Sequence, residues 1–171
     1  MGPGTVISFY TDVICLSPAF HSVDRIRITE LLEEGTLACV QALMADAWLL
    51  GHDLMIFETY RSQPRQHELF LKGVTRLDKV GTHHYGLACD VVRNINGEPS
   101  WKGDWGFMVG LCRKHGLISG IDWGHPERKH TQIDACHVQR IAVEDQTQLF
   151  AGTFYPDKSY DPYPIIGGPE Q

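Results

Sequence analysis

The chain has 171 residues, a length that suits one domain with a core of its own. Hydrophobic residues make up 43% and charged ones 21%, an ordinary soluble globular composition, and no apolar run approaches the ~20 residues of a membrane span. The formal charge of −6, with no Lys/Arg cluster, argues against a nucleic-acid partner and against electrostatic docking on an anionic surface.

In chain order, residues 1–28 carry short apolar pieces (Val6 to Tyr10, Val13 to Leu16) broken by Gly, Pro and polar residues. They read as irregular structure with at most a short strand or helical turn. The first residues lack a basic n-region and a small-residue cleavage site, so no signal peptide is expected; Pro3, Gly4 and Val6 also spoil a myristoylation signal. From Ile28 to Leu50, Leu31, Leu32, Leu37, Val40, Leu43, Met44, Ala47 and Leu50 recur mostly at three and four, which predicts a long amphipathic helix stopped by Gly51. Asp53 to Tyr60 reads as a strand that delivers Arg61 at its end. Ser62 then caps a helix over roughly 63–73, with Pro64 in its first turn and Gly73 closing it. A charged connection, Val74 to Val80, leads to a strand over Ala88 to Arg93 that ends in the turn Asn94-Ile95-Asn96-Gly97.

Trp101 to His115 predicts a second amphipathic helix, closed by Gly116, with a short strand possible over Leu117 to Ile121. Asp122 to Asp134 is polar and His-rich, a loop placed to cover a site. Cys136 to Ile141 is the last expected strand and Ala142 to Phe150 a short helix. Beyond it, residues 152–171 form a Pro/Gly-rich tail, leaving residues 1–151 as the domain. Five cysteines (Cys15, Cys39, Cys89, Cys112, Cys136), an odd number without C-x-x-C spacing, read as reduced thiols of a cytoplasmic protein. Strands separated by helices without βαβ regularity predict an α+β fold with a small, mainly antiparallel sheet.

The densest stretch is Gly81 to Asp90, GTHHYGLACD. In an extended chain Ala88 and Asp90 face one way and Leu87 and Cys89 the other, and Gly86 can turn the chain so that His83 and Asp90 converge. An imidazole and a carboxylate suit Zn²⁺, but a catalytic zinc takes three protein ligands and leaves a position open. His137, in Asp134-Ala135-Cys136-His137, supplies the third. Asp134 is then the general base rather than a fourth ligand. Residues three apart on a regular strand face opposite sides, so Asp134 must lie in the bend entering the strand. Singly, each of these reads as a surface or satisfied core polar group; the set is what points to a metal. Cys89 and Cys136 precede proposed ligands and so are expected in the core.

The ordered motifs Arg61-Ser62-x-x-x-Gln66, His83-x-x-Gly86-x-Ala88-x-Asp90 and Asp134-x-x-His137 resemble the zinc peptidoglycan peptidases related to D-Ala-D-Ala carboxypeptidases. That group includes the VanY-like vancomycin-resistance enzymes and the L-alanyl-D-glutamate endolysins of phages. One departure is that Gly81 stands where the family usually has Ser, so an orienting hydroxyl is expected to be missing or replaced by Thr82.

The resemblance implies helices flanking a small sheet with the zinc site on it, a fold shared with hedgehog-type domains. It implies Zn²⁺ on His83, Asp90 and His137, Asp134 as base and Arg61 at the oxyanion. Gln66, Ser62, His84 and Trp123 are expected at the substrate, His84 because its side chain should diverge from that of His83 in an extended chain. The implied substrate is a peptidoglycan peptide stem or muropeptide; a monomer without nucleic-acid or membrane partners is expected, and without a signal peptide it either reaches the wall by release during phage lysis or acts on internal muropeptides. L-Ala–D-Glu cleavage is favoured, partly because Asp rather than Glu at 134 resembles the endolysin branch. Carboxypeptidase or dipeptidase action is the alternative, and a non-catalytic zinc-containing binding domain the reading of another class.

Overall fold

The structure, a computed structural model, describes residues 8–163; the expected apolar piece at Val6 and the tail beyond Tyr163 lie partly or wholly outside them. Its centre is a five-stranded sheet: β1 (Leu54–Glu58), β2 (Ala88–Ile95), β3 (Glu98–Ser100), β4 (Ile118–Ser119) and β5 (His137–Gln139). Every pairing is antiparallel, in the order β1-β2-β5-β4, with β3 paired to the end of β2. This is the α+β architecture the sequence predicts.

Helices α1 (Glu34–Leu49) and α3 (Phe107–Lys114) bury one side of the sheet. Val40, Leu43 and Ala47 from α1 meet Met108, Leu111 and Cys112 from α3 and Cys89, Val91 and Val138 from the strands. Cys89 and Cys136 belong to this core, as expected. A second cluster joins Ile14, Ala19, Leu31 and Tyr60, and a third joins Tyr85, Leu87, Ile141 and Leu149 near α4 (Gln146–Phe150). Helix α2 (Gln63–Leu71) starts at the predicted cap, the Ser62 hydroxyl accepting from Arg65 N–H at 3.1 Å. Among the described residues, no helix is long and apolar enough to cross a membrane.

Three expectations are corrected. The first helix begins at Glu34, not Ile28: Thr29–Leu31 form a separate 3₁₀ turn, Leu32 is extended, and the Glu33 carboxylate caps α1 by accepting from Gly35 N–H (2.8 Å) and Thr36 N–H (2.9 Å). The helix expected from Trp101 begins only at Phe107, because Trp101 to Gly106 folds into a loop clasped by a Trp105 Nε1–H bond to the Trp101 carbonyl (2.8 Å). Finally, β2 runs on to Ile95 and turns through Asn96 and Gly97, both at positive φ, into β3, a strand the sequence reading lacked.

The first part of the tail is tied to the body. Arg140, only 2% exposed, donates from Nη2 to Glu33 Oε2 (2.9 Å) and the Asp157 carbonyl (3.0 Å), and from Nη1 to the Tyr160 carbonyl (2.9 Å). Burial alone would raise the Glu33 pKa; the Gly35 N–H, Arg140 and the Thr36 N–H outweigh it and hold the carboxyl below its ordinary value. Its stabilising contribution is therefore complete above the unfolded carboxylate range and lost as pH falls through the depressed folded value. Arg140→Ala, which strands a buried carboxylate, is expected to cost ~3–5 kcal/mol at neutral pH in a denaturant titration. That loss should shrink in acid, as Glu33 protonates in either protein.

Candidate metal centre

Register brings the first two ligand candidates together: Asp90 on β2 is paired directly with His137 on β5. The third, His83, arrives from Thr82–Tyr85, which coils into a 3₁₀ turn instead of the extended chain expected. Gly86 ends that turn at φ +71°, and a Cβ there would lie 2.8 Å from the Leu31 carbonyl, so only glycine fits. His83, Asp90 and His137 each offer a ligand atom within 4.8 Å of the others.

Hydrogen bonding determines which atoms face inward. His83 Nδ1 lies 2.8 Å from the Thr59 carbonyl, which can only accept, so Nδ1 carries the proton and Nε2 a lone pair. The Gln139 side chain donates from Nε2 to the Ile141 carbonyl (2.8 Å), so its Oε1 accepts from His137 Nε2–H (2.8 Å), leaving a lone pair on His137 Nδ1. Asp90 Oδ1 sits 3.2 Å from His83 Nε2 and 3.4 Å from His137 Nδ1. Two lone pairs thus meet one carboxylate oxygen, and His83 Nε2 and Asp90 Oδ1 are buried without a hydrogen-bond partner. Burial would raise the Asp90 pKa, but positive charge on the side of His83 and His137, a proton on either ring or a cation between them, would hold it well below the usual carboxylate range. Burial likewise would lower that of His137, yet Asp90 and, at longer range, Asp134 raise it. Such a site calls for a cation, and two imidazole nitrogens with one carboxylate oxygen suit zinc.

The other Asp90 oxygen, Oδ2, accepts from Arg61 Nη2 at 3.3 Å. Arg61 also donates from Nε to Glu58 Oε1 (2.8 Å) and from Nη1 to Gln66 Oε1 (3.3 Å), and a second Nη2 hydrogen goes to Glu58. Of five guanidinium hydrogens, one on Nη1 has no partner among the described residues. Glu58, 2% exposed and also bound by Arg65 Nε at 3.0 Å, is a site residue the sequence reading missed. Its only sequence signal was a carboxylate in the strand three places before Arg61. Thr82 Oγ1 donates to Gln139 Oε1 at 3.1 Å, so a hydroxyl next to Gly81 does support His137.

Asp134 lies in the bend required of it. Its N–H donates to the Gly120 carbonyl (2.8 Å), its carbonyl accepts from His137 N–H (3.1 Å), and its side chain is exposed on a cleft of about 950 Å³. A Cβ on Gly120 would come 2.2 Å from the Asp134 carbonyl, so this bend tolerates no side chain there. Arg61, Gln66, Trp123 and all three ligand candidates line the same cleft. Trp123 stands with its ring centroid 5.3 Å from that of His137. Two expected substrate residues do not reach it. Ser62 is spent as the α2 cap and on the Ser22 carbonyl. His84 is 5% exposed, its Nε2 bonded to Tyr10 Oη at 2.8 Å among Phe20 and Tyr60, because the 3₁₀ turn rotates it into the second cluster.

No protein-family model and no curated protein matches the chain. Among solved structures it is similar to the Serratia marcescens L-Ala D-Glu endopeptidase ChiX, at 19% identity and a TM-score of 0.52, covering 70% of this chain and 93% of that one. It is similar also to the vancomycin-resistance D,D-pentapeptidase VanY of a VanB-type cassette, solved with Zn(II), at 16% identity and TM-score 0.51 over 78% of this chain and 87% of that one. The complex of VanYB with D-alanine-D-alanine gives 18% identity and TM-score 0.50, over 79% and 86%. These likenesses establish the fold that the motifs implied.

Elemental analysis of the purified chain is expected to find one zinc, and His83→Ala or His137→Ala to lose most of it. Stoichiometric metal in both variants would remove the site.

Proposed function

We propose that this chain, with the fold of the zinc peptidoglycan peptidases, is a zinc metallopeptidase that hydrolyses an amide bond in the peptide stem of bacterial peptidoglycan. The observation that carries the reading is the pair of buried imidazole lone pairs facing Asp90 Oδ1 on the floor of a cleft whose wall bears a free carboxylate, Asp134. The fold shared with ChiX and VanY supports it.

His83, Asp90 and His137 would hold Zn²⁺, which as a Lewis acid would polarise a carbonyl and bring the pKa of water down towards about 7. Asp134 takes the proton of the attacking water and returns it to the leaving amine, a role open to it because its carboxylate is exposed on the cleft. Arg61, held by Glu58 and Gln66, turns its remaining Nη1 hydrogen to the developing oxyanion; a donor of this kind is typically worth ~3–4 kcal/mol. Gln66 thus positions Arg61, its own amide nitrogen anchored on Thr75 Oγ1 (3.1 Å) and the Leu77 carbonyl (2.6 Å).

Of the stem bonds, L-Ala–D-Glu is the one we favour. A cleft of about 950 Å³ lies at the upper end of the range for drug-sized ligands, more than a free dipeptide fills. Asp at 134 resembles the endolysin branch. Carboxypeptidase action is the second reading, because Arg76, Arg128 and Lys129 line the cleft and suit a terminal carboxylate.

Asp134→Asn should retain zinc while turnover drops by roughly 10²–10⁴. Loss of metal with the carboxylate would make Asp134 a ligand, unchanged turnover would take the base role from it, and no turnover in the intact chain would leave a binding domain. Arg61→Lys should also keep metal and lose activity, since an ammonium cannot satisfy Glu58, Gln66 and Asp90 together.

Mass spectrometry of digested sacculi names the bond. The expected products are peptides with a free D-Glu amine and L-Ala left on the glycan; free D-alanine alone would select the carboxypeptidase.

A further inference from the structure

The reaction above makes no use of Trp101, yet this residue lines the catalytic cleft. It directly follows β3 and is 51% exposed, outside all three buried clusters. A half-exposed indole beside an active site is a large, rigid contact surface with little conformational entropy to lose. Its neighbours hold it in place. Trp105, itself buried, donates from Nε1 to the Trp101 carbonyl at 2.8 Å. Phe57 meets the indole edge to face, with centroids 4.9 Å apart at 80°. Phe57 is in turn clamped by Arg25, whose guanidinium lies 4.0 Å over the ring and whose Nη1 donates to the Phe57 carbonyl at 2.8 Å. No aromatic ring among the described residues lies flat on the indole.

A second observation extends the surface. Ser100 and Lys102, on either side of Trp101, line another groove of about 600 Å³ together with Glu98, over the β2–β3 hairpin. Trp101 thus lines the catalytic cleft while both of its sequence neighbours line a groove that also carries Glu98, Arg93, Ile95 and Pro99. A flat apolar face flanked by hydrogen-bonding groups is the complement of a pyranose ring, which has a C–H face and a polar edge.

We infer that Trp101 is a sugar platform: it stacks on the glycan that carries the peptide stem, and the hairpin groove receives the adjoining sugar. This rests on the peptidoglycan reading above, in which a single residue, L-Ala, separates the sugar from the scissile bond. The platform supplies affinity for peptide still attached to glycan over peptide already released.

The test compares kcat/KM for a sugar-free stem peptide and for the same peptide carried on a GlcNAc–MurNAc disaccharide. The intact chain should favour the disaccharide-peptide by about tenfold, through KM. In Trp101→Ala that ratio should fall to about one, and in Trp101→Phe, which keeps an aromatic contact with Phe57, to an intermediate value. A ratio that survives Trp101→Ala, or that is already one in the intact chain, overturns the inference. Titration with the disaccharide alone, read by tryptophan emission, separates the two readings. If neither peptide is cut, the peptidase reading fails; an emission change present in the intact chain and absent from Trp101→Phe still upholds the platform. No emission change then overturns both.

Discussion

Two carboxylates, Glu58 and Asp90, are directly paired on adjacent strands, in a register already irregular at that point. Like charges so placed repel, and neither is freely hydrated, at 2% and 15% side-chain exposure. Arg61 lies between them and bonds to both. The corner from β1 to α2 serves that guanidinium: Ser62 starts the helix at once, which places Arg65 on the second Glu58 oxygen and Gln66 on Arg61. With Arg61 on Oδ2, Asp90 has Oδ1 left for the imidazoles.

The imidazoles are oriented from behind by oxygen atoms that accept from their ring N–H groups. The Thr59 carbonyl holds His83, and Thr59 itself is fixed by its N–H to the Ile26 carbonyl (2.7 Å) and its hydroxyl to the Ile28 carbonyl (2.9 Å). The irregular N-terminal segment thereby sets the direction of a ligand candidate far along the chain. Gln139 does the same for His137, and each of its amide atoms has a partner although it is 1% exposed. Outer partners of this kind fix tautomer and ring angle together, which is why a metal site extends beyond its ligands.

Periodicity and cap residues disclosed the helices and most strands, but not where the first and third helices begin. Leu31 and Leu32 continue the helical spacing, yet Leu31 packs in the cluster of Ile14 and Tyr60 while Leu32 packs in the main core. Their spacing reports two cores, not one helix. Trp101 and Trp105 are four apart for a similar reason, a loop clasp in place of a helical turn. Strand β3 was hidden by Pro99, which cannot donate to a ladder. The metal-binding candidates were legible because their residue types are costly to bury without purpose. Glu58 escaped because a single polar residue closing an apolar strand looks like a solvated end. Ser62 and His84 misled in the opposite sense, being chemically able groups already committed to a cap and to a buried ring cluster.

The sheet carries core and site on opposite faces of the same short pairing. On β5, Val138 enters the core between His137 and Gln139, which face the cleft; on β2, Cys89 and Val91 enter it on either side of Asp90. A slip of one residue would drive His137 and Gln139 into the apolar layer and leave Val138 opposite Asp90. Two buried polar side chains would then lose their partners, at a few kcal/mol each. Strands of three and two residues are too short to hold register by length alone. The hydrophobic face that stabilises the fold is therefore also what aligns the ligand candidates, and the bend at Asp134, closed against Gly120, prevents β5 from sliding.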